Sequence, residues 1–133
     1  MQQVSSSRYP LDELVAVFRR LLGPDGCPWD RQQTHETLKP YLMEEANEVL
    51  AAIDENDMAH LQEELGDVLM QIVFHCALAE ERGDFDMNDV IAGITKKMIR
   101  RHPHVFGDAK ADSPEEVLRL WQQIKKEERN GNL

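Results

Sequence analysis

The chain has 133 residues and a formal net charge of -10 at pH 7, which fits one domain over residues 1–133 with an ordered part from about 8 to 129. The negative charge disfavours duplex nucleic acid and anionic membrane surfaces as partners. No apolar run could span a bilayer, the amino terminus lacks the apolar stretch of a signal peptide, and Cys27 and Cys76 form no disulfide framework, so we expect a cytoplasmic protein.

The first predicted element is an amphipathic helix that begins at Pro10 and stops at Gly23-Pro24. Its apolar residues recur at i, i+3 and i+4, namely Leu11, Leu14, Val15, Phe18, Leu21 and Leu22. The following segment, GPDGCPWDRQQT, has two glycines and two prolines, which predict turns rather than regular structure. It carries Trp29, which either fills the core or stacks on a planar ligand.

The next helix is predicted from Pro40 to about Glu55, because proline in a helix interior produces a kink; residues 34–38 would form a separate turn. Glu45 and Glu48 border its apolar stripe, and Glu44 lies further from it. The residues of that stripe are Leu42, Ala46, Val49, Leu50 and Ile53.

A longer helix follows, with Asp57 as its cap and an end near Glu81. From Val68 to Ala79 it is apolar on almost every side, which is typical of a buried helix. A narrow polar strip runs along it at i, i+3 or i+4 spacing and consists of Glu64, Asp67, Gln71 and His75.

These two helices can direct five carboxylates into one space, since Glu44, Glu45 and Glu48 share one side of the first and Glu64 and Asp67 one side of the second. Acidic runs are commonly solvated faces, and that alternative is strongest for Glu44. No lysine or arginine occurs between Lys39 and Arg82, however, so buried carboxylates would need another counter-charge. Hard oxygen ligands indicate Mg²⁺ or Mn²⁺.

Asp86 and Asp89 open a further helix whose apolar residues, Val90, Ile91, Ile94 and Met98, are predicted to face inward. Its far end is basic and contains Lys96, Lys97, Arg100 and Arg101. These cations either complement the helix dipole or bind a polyanionic ligand such as a metal-bound polyphosphate, which we favour. A last helix follows the Ser113 capping box, runs to about Arg129 and carries Trp121. No strand pattern occurs, so we predict an all-α fold.

The ordered motifs of the chain resemble those of the MazG family of nucleoside triphosphate pyrophosphohydrolases, over nearly the whole sequence. The family's EExxE motif appears as Glu44 to Glu48, and its ExxD motif as Glu64 to Asp67. The segments GCPWD, RRHPHVF and WxxxKxEE complete the set. The chain resembles the amino-terminal copy alone of a domain that bacterial MazG proteins commonly carry twice, so it is either a single-domain protein or one copy from a two-copy protein.

The resemblance implies an all-helical fold in which two protomers complete a four-helix bundle around each active site, as a homodimer or a dimer of dimers. It also implies Mg²⁺-dependent hydrolysis of a nucleoside triphosphate to the monophosphate and pyrophosphate, with Mn²⁺ as a possible substitute. Glu45, Glu48, Glu64 and Asp67 match metal ligands of the family, and Glu44 matches an outer ligand or base.

The resemblance also implies that basic residues and a tryptophan bind the substrate. Lys97 and Arg101 match positions that bind the triphosphate, and Trp121 and Lys125 match positions beside the nucleotide. Water would attack the α-phosphorus and pass its proton to Glu44 or Glu45. Two alternatives remain: a noncatalytic nucleotide-binding or dimerisation module, and a narrow pyrophosphohydrolase for one deoxynucleotide. The sequence leaves the preferred base open.

Overall fold

The computed structural model describes residues 10–131, and all regular structure within that range is α-helical, which confirms the predicted fold class. Its elements are α1 Leu11–Leu22, α2 Pro28–Arg31, α3 His35–Asp54, α4 Met58–Arg82, α5 Met87–Arg100, α6 Pro103–Phe106 and α7 Pro114–Arg129. Two compact units comprise residues 1–87 and 88–133. The ends expected to be frayed are residues 1–7 and the tail from Asn130; residues 1–9 and 132–133 lie outside the described residues. None of the described helices is long and apolar enough to cross a membrane.

The first unit is built on a hairpin of α3 and α4, which are joined by three residues and pack along each other. Helix α1 packs against α4, and the one-turn α2 packs against α1. The core cluster consists of Phe18, Leu22, Leu38, Val73, Phe74 and Ala77. The rings of Phe18 and Phe74 lie 5.2 Å apart between centroids, so aromatic packing joins α1 to α4.

Helix α3 begins at His35, so the predicted start at Pro40 is wrong. A reciprocal cap explains the difference: the Thr34 side chain accepts from the Thr37 N–H at 3.2 Å, and Thr37 Oγ1 accepts from the Thr34 N–H at 2.8 Å. Leu38, only 1% exposed, anchors the same turn in the core. Cap and burial together offset the backbone hydrogen bond that Pro40 cannot donate.

The segment between α1 and α3 is more ordered than predicted, since Pro28 begins a single helical turn over Pro28–Arg31. The chain enters this turn by a close approach, in which the Cys27 N–H donates to the Leu21 carbonyl at 2.8 Å. Glycine is required at position 26 because a Cβ there would lie 2.0 Å from the Leu21 carbonyl oxygen. This tight junction fixes the start of α2 and therefore the position of Trp29.

The apolar stripe predicted for α3 does not form the core. Leu42, Leu50 and Ile53 are 39%, 58% and 52% exposed, and the buried residues of this helix are Leu38 and Ala52. The reason is that the buried side of α3 carries Leu38, Glu45 and Ala52, and of the predicted stripe only Val49, which is half-buried, lies on that side. The prediction that α4 is buried from Val68 to Ala79 also fails in part, because Leu69 and Ile72 are exposed.

The second unit contains α5 from Asn88 onwards, α6 and α7. The α5 residues expected to face inward are instead largely exposed, with Ile91 at 37%, Ile94 at 50% and Met98 at 48%. A unit of this size cannot bury every apolar side chain of an amphipathic helix. Helix α7 is capped as predicted: Ser113 Oγ accepts from the Glu116 N–H at 3.2 Å, and Ile124 is buried.

Candidate metal centre and nucleotide site

The α3–α4 hairpin brings three of the predicted metal ligands together. Glu45 from α3 and Glu64 and Asp67 from α4 each place a carboxylate oxygen within 4.8 Å of the others. Glu64 is 8% exposed, and the other two are half-buried. The i, i+3 spacing on α4 puts Glu64 and Asp67 on the side that meets α3, so the cluster is a direct result of the ExxD motif.

The electrostatics of this carboxylate cluster favour a bound cation. Burial and then the charges of Asp67, Glu64 and Glu44 raise the pKa of Glu45 above its usual range. Glu64 Oε2 is buried and has no hydrogen-bond partner within residues 10–131. An unpartnered carboxylate oxygen among like charges fits a hard divalent ion, which takes oxygen ligands. The donor set is therefore suited to Mg²⁺ or Mn²⁺, and the identity of the ion stays a prediction.

Glu48 belongs to a neighbouring group that shares Glu64 and includes His60, a residue that the sequence analysis overlooked. His60 Nε2 lies 3.4 Å from Glu64 Oε1 and 3.8 Å from Glu48 Oε2, and its Nδ1 lies 3.6 Å from Glu55 Oε2. The sequence contains a signal for this contact, because His60 and Glu64 are four residues apart on one helix. In the structure, Asp57 Oδ1 also accepts from the His60 N–H.

Glu44 stands apart from the other predicted carboxylates. It is exposed, and among the described residues it enters none of the groups that could hold a metal. Its influence on the cluster is electrostatic, since its charge contributes to the raised pKa of Glu45. An outer position, as a weak ligand or a base, agrees with this placement better than a direct ligand would.

A cavity of about 230 Å³ lies beside Glu45 in the first unit. Trp29 is at its edge, 49% exposed, and packs edge-on against Tyr41 with ring centroids 5.7 Å apart. Trp29 is therefore not a core residue in this structure, and its stacking on a planar ligand stays a prediction. The cavity is lined by Phe18, Leu21, Trp29, Asp30, Leu38, Tyr41, Glu45, Met70, Gln71 and Phe74.

The predicted phosphate-binding arginine lies in the second unit and is held by an acidic residue. Arg101 donates to both Glu128 oxygens, at 2.9 Å from its Nη2 and 3.4 Å from its Nε, and Arg100 Nε donates to Oε2 at 2.7 Å. Arg101 and then Arg100 lower the pKa of Glu128 to about 2. Lys97 is exposed on α5, and Lys125 is half-buried on α7.

Trp121 lies on α7 in contact with a histidine pair. The His102 ring meets it edge-on with centroids 5.4 Å apart, and His102 and His104 lie 5.6 Å apart. Trp121 Nε1 and His104 Nδ1 are buried and lack hydrogen-bond partners within the part of the chain that is described. The indole is thus half-buried but retains a polar atom that could meet a ligand or water.

An all-α protein with clustered carboxylates on a helical hairpin belongs to the class of helical proteins suited to binding a divalent cation. Residues 33–106 match the family described as the MazG nucleotide pyrophosphohydrolase domain. The chain belongs to this family. The matched residues include every carboxylate of the cluster, so the family assignment and the geometry concern the same part of the molecule.

Relatives and a solved structure agree with this assignment. The chain is 52% identical over 118 residues to the nucleoside triphosphate pyrophosphohydrolase/pyrophosphatase MazG of Thermotoga maritima, covering 89% of this chain and 45% of that protein. It is 51% identical over 120 residues to the nucleoside triphosphate pyrophosphohydrolase of Escherichia coli strain K12, covering 90% and 46%. The chain thus spans about half the length of these relatives.

The structural comparison supports the fold. A crystal structure of a MazG-related protein from Thermotoga maritima superposes with a TM-score of 0.72 at 32% identity, covering 86% of this chain and 98% of that one.

Proposed function

We propose that the chain hydrolyses nucleoside triphosphates to the monophosphate and pyrophosphate in the presence of Mg²⁺. The observation that carries this proposal is the cluster of Glu45, Glu64 and Asp67 with its unpartnered Glu64 oxygen. Family membership and the names of the two relatives support the same activity. A nucleoside triphosphate pyrophosphohydrolase would meet its substrate in the cytoplasm.

Four carboxylates would hold the metal: Glu45, Glu64 and Asp67 from the first group and Glu48 from the group that it shares with Glu64. A divalent ion bound there neutralises the phosphate charge and makes water more acidic. The packing of α3 on α4 brings Glu45, Glu64 and Asp67 within 4.8 Å of one another and places Glu48 in the adjoining group with Glu64. His60, between Glu48 and Glu64, helps to hold both carboxylates in place when it is protonated.

The proton of the water that attacks the α-phosphorus would pass to Glu44 or Glu45. Glu45 lies within the cluster, close to the reacting centre, whereas Glu44 is exposed and free of the ligand groups found among the described residues. Its position in the cluster favours Glu45 as the base, whereas Glu44 is favoured because its carboxylate is not engaged in a ligand group of the described residues. Both stay candidates, and comparison of the two Glu→Gln variants separates them.

Lys97 and Arg101 would bind the triphosphate, with Trp121, Lys125 and Trp29 beside the nucleoside. Glu128 presents two arginines side by side and accepts from only some of their N–H groups. The remaining donors can meet phosphate oxygens, and Glu128 fixes the planes of both guanidinium groups for that contact. Trp29 offers an exposed indole at the mouth of the cavity next to Glu45.

The active form would be a homodimer or a dimer of dimers. The support is the apolar surface of the α3–α4 hairpin, where Leu50, Ile53, Leu65, Leu69 and Ile72 are all 39% or more exposed. Apolar surface of this kind on two neighbouring helices is typical of an interface. Pairing two hairpins would complete a four-helix bundle and cover it.

A panel of ribo- and deoxyribonucleoside triphosphates with Mg²⁺ tests the activity, with nucleotide products and pyrophosphate identified separately. Release of monophosphate and pyrophosphate that disappears on adding a chelator is the expected result. Nucleotide binding without turnover would instead assign the chain to the noncatalytic binding modules. Turnover of one deoxynucleotide alone would assign it to the narrow pyrophosphohydrolases.

A further inference from the structure

Gln71 is a buried polar residue that the metal cluster does not use. It lies on α4 one turn after Asp67, and its side chain is nearly enclosed, with the residue 4% exposed. Its Oε1 atom is buried without a hydrogen-bond partner among the described residues. Buried amide oxygens are almost always hydrogen-bonded in folded proteins, so this atom indicates a missing donor.

The missing donor has a place to bind, because Gln71 lines the cavity of about 230 Å³ beside the cluster. That volume is below the 300–1,000 Å³ of sites for drug-sized ligands, so it fits a ring system rather than a whole nucleotide. The wall is aromatic at Trp29 and Tyr41, which suits a flat heterocycle. Glu45 belongs both to this wall and to the carboxylate cluster, so a ligand in the cavity adjoins the metal site.

We propose that this cavity takes the nucleobase of the substrate and that Gln71 Oε1 accepts a hydrogen bond from the exocyclic amino group of the base. The proposal rests on the proposed function above. An N–H donor is the complement of an unpartnered carbonyl oxygen, and the carboxylates of Asp30 and Glu45 in the same wall also disfavour a keto oxygen. The site would therefore prefer cytosine over uracil and adenine over hypoxanthine, since each pair differs by amino against keto.

The test is the discrimination ratio of kcat/KM for CTP against UTP, and for ATP against ITP, in the wild type and in Gln71→Met. Methionine keeps the volume and removes the acceptor. The wild type should prefer the amino base, and the ratio for at least one pair should fall by about tenfold or more in the variant. Gln62→Met, the same change at an exposed position of α4, should keep the wild-type ratio.

A binding arm separates this inference from the proposed activity. Calorimetry with CMP and UMP, and with AMP and IMP, in excess chelator measures recognition of the base without turnover. If the wild type hydrolyses no nucleotide but binds an amino base preferentially, the activity fails and the base site stands. If it hydrolyses nucleotides and Gln71→Met leaves every ratio unchanged, Gln71 merely contacts water and the inference is overturned.

Trp29→Ala provides a second variant, because Trp29 is half exposed and the core does not depend on it. Loss of the indole should weaken the binding of both members of each nucleotide pair by a similar factor and leave their ratio intact. If Trp29→Ala leaves the affinity for all four monophosphates unchanged, the cavity is not the base site, whatever the behaviour of Gln71→Met.

Discussion

The two units of the chain differ in whether their clustered charged side chains have partners of opposite charge. In the first unit, Glu45, Glu64 and Asp67 face one another, and one oxygen of Glu64 has no partner within the described residues. In the second, Arg100 and Arg101 converge on Glu128, whose pKa falls to about 2. The acidic group needs a cation from outside, whereas the basic group is already held in place by its own carboxylate. Ligand binding should therefore change the stability of the first unit more than that of the second.

The largest effect should follow from removing a charge in the carboxylate cluster. Asp67→Asn and Glu48→Gln each keep the volume and lose an anionic ligand, so turnover should fall by at least about 100-fold while the helical fold is retained. In the wild type, saturating Mg²⁺ or Mn²⁺ should raise the Tm, and in Asp67→Asn that rise should be lost.

Glu63→Gln, at an exposed position of the same helix, is the matched control for these variants. It should retain both turnover and the metal-dependent rise in Tm. Near wild-type turnover in Asp67→Asn would show that this carboxylate does not hold the metal.

The exposed apolar surface of the first unit predicts a second large effect, on assembly. Leu69→Glu places a charge in the middle of that surface, where Leu69 is 41% exposed, and should convert a dimer to a monomer at micromolar concentration. Light scattering coupled to size exclusion measures the mass. A wild-type protein that is already monomeric would refute the proposed bundle. Gln32→Glu, at an exposed position outside the α3–α4 hairpin, should leave the mass unchanged.

A smaller effect is expected from Arg101→Ala in the second unit. Loss of a charge-assisted contact to phosphate should lower kcat/KM by roughly tenfold or more. Metal affinity should be retained, because the carboxylate cluster is untouched, and Glu128 keeps its bond to Arg100. Kinetics and metal titration would thus separate the two units. Arg119→Ala, an exposed arginine of α7, serves as the control.

If Arg101→Ala leaves kcat/KM unchanged for every nucleotide that the wild type hydrolyses, the pairing with Glu128 is purely structural. The basic end of α5 would then serve only to complement the helix dipole and to join α5 to α7.

The smallest effect concerns a second pair of like groups in the first unit. Nδ1 of His35 and Nδ1 of His75 lie 2.7 Å apart in nearly parallel rings, which is the geometry of a hydrogen bond that holds one proton. Burial, and then the neighbouring His35, lower the pKa of His75. At position 75 the unfolded chain therefore binds a proton more readily than the folded chain does. The free energy of unfolding should be highest above about pH 6.5 and should decrease as the pH drops below that value.

Urea unfolding at pH 7.5 and at pH 5.5 measures this effect. His35→Gln keeps a hydrogen-bonding partner but does not titrate, so the decrease in stability between the two pH values should be smaller than in the wild type. An equal decrease in both proteins would show that the histidine pair does not sense protons.

Local signals in the sequence predicted most of the long helices and three carboxylates that the structure brings together. Asp57 and Ser113 cap helices as predicted, and the ExxD spacing places Glu64 and Asp67 beside Glu45. Features that depend on distant contacts were missed. The start of α3 depends on the burial of Leu38 as well as on the local Thr34–Thr37 cap, and the role of Glu128 depends on arginines 27 and 28 residues away. Helical periodicity identified apolar stripes but could not show which of them a single chain covers.

Gly26 shows how far a small backbone requirement can reach. A Cβ at Gly66 or Gly93 would meet no atom within 4 Å, so alanine is tolerated at both positions and should favour the helix. A Cβ at Gly26 would collide with the backbone at Leu21, which cannot rotate away as a side chain would. Any replacement must therefore displace the backbone between Leu21 and Cys27, and this segment positions Trp29 at the edge of the cavity. In a saturation-mutagenesis survey, position 26 would therefore group with the ligand-binding residues, although glycine contributes no side chain to the site.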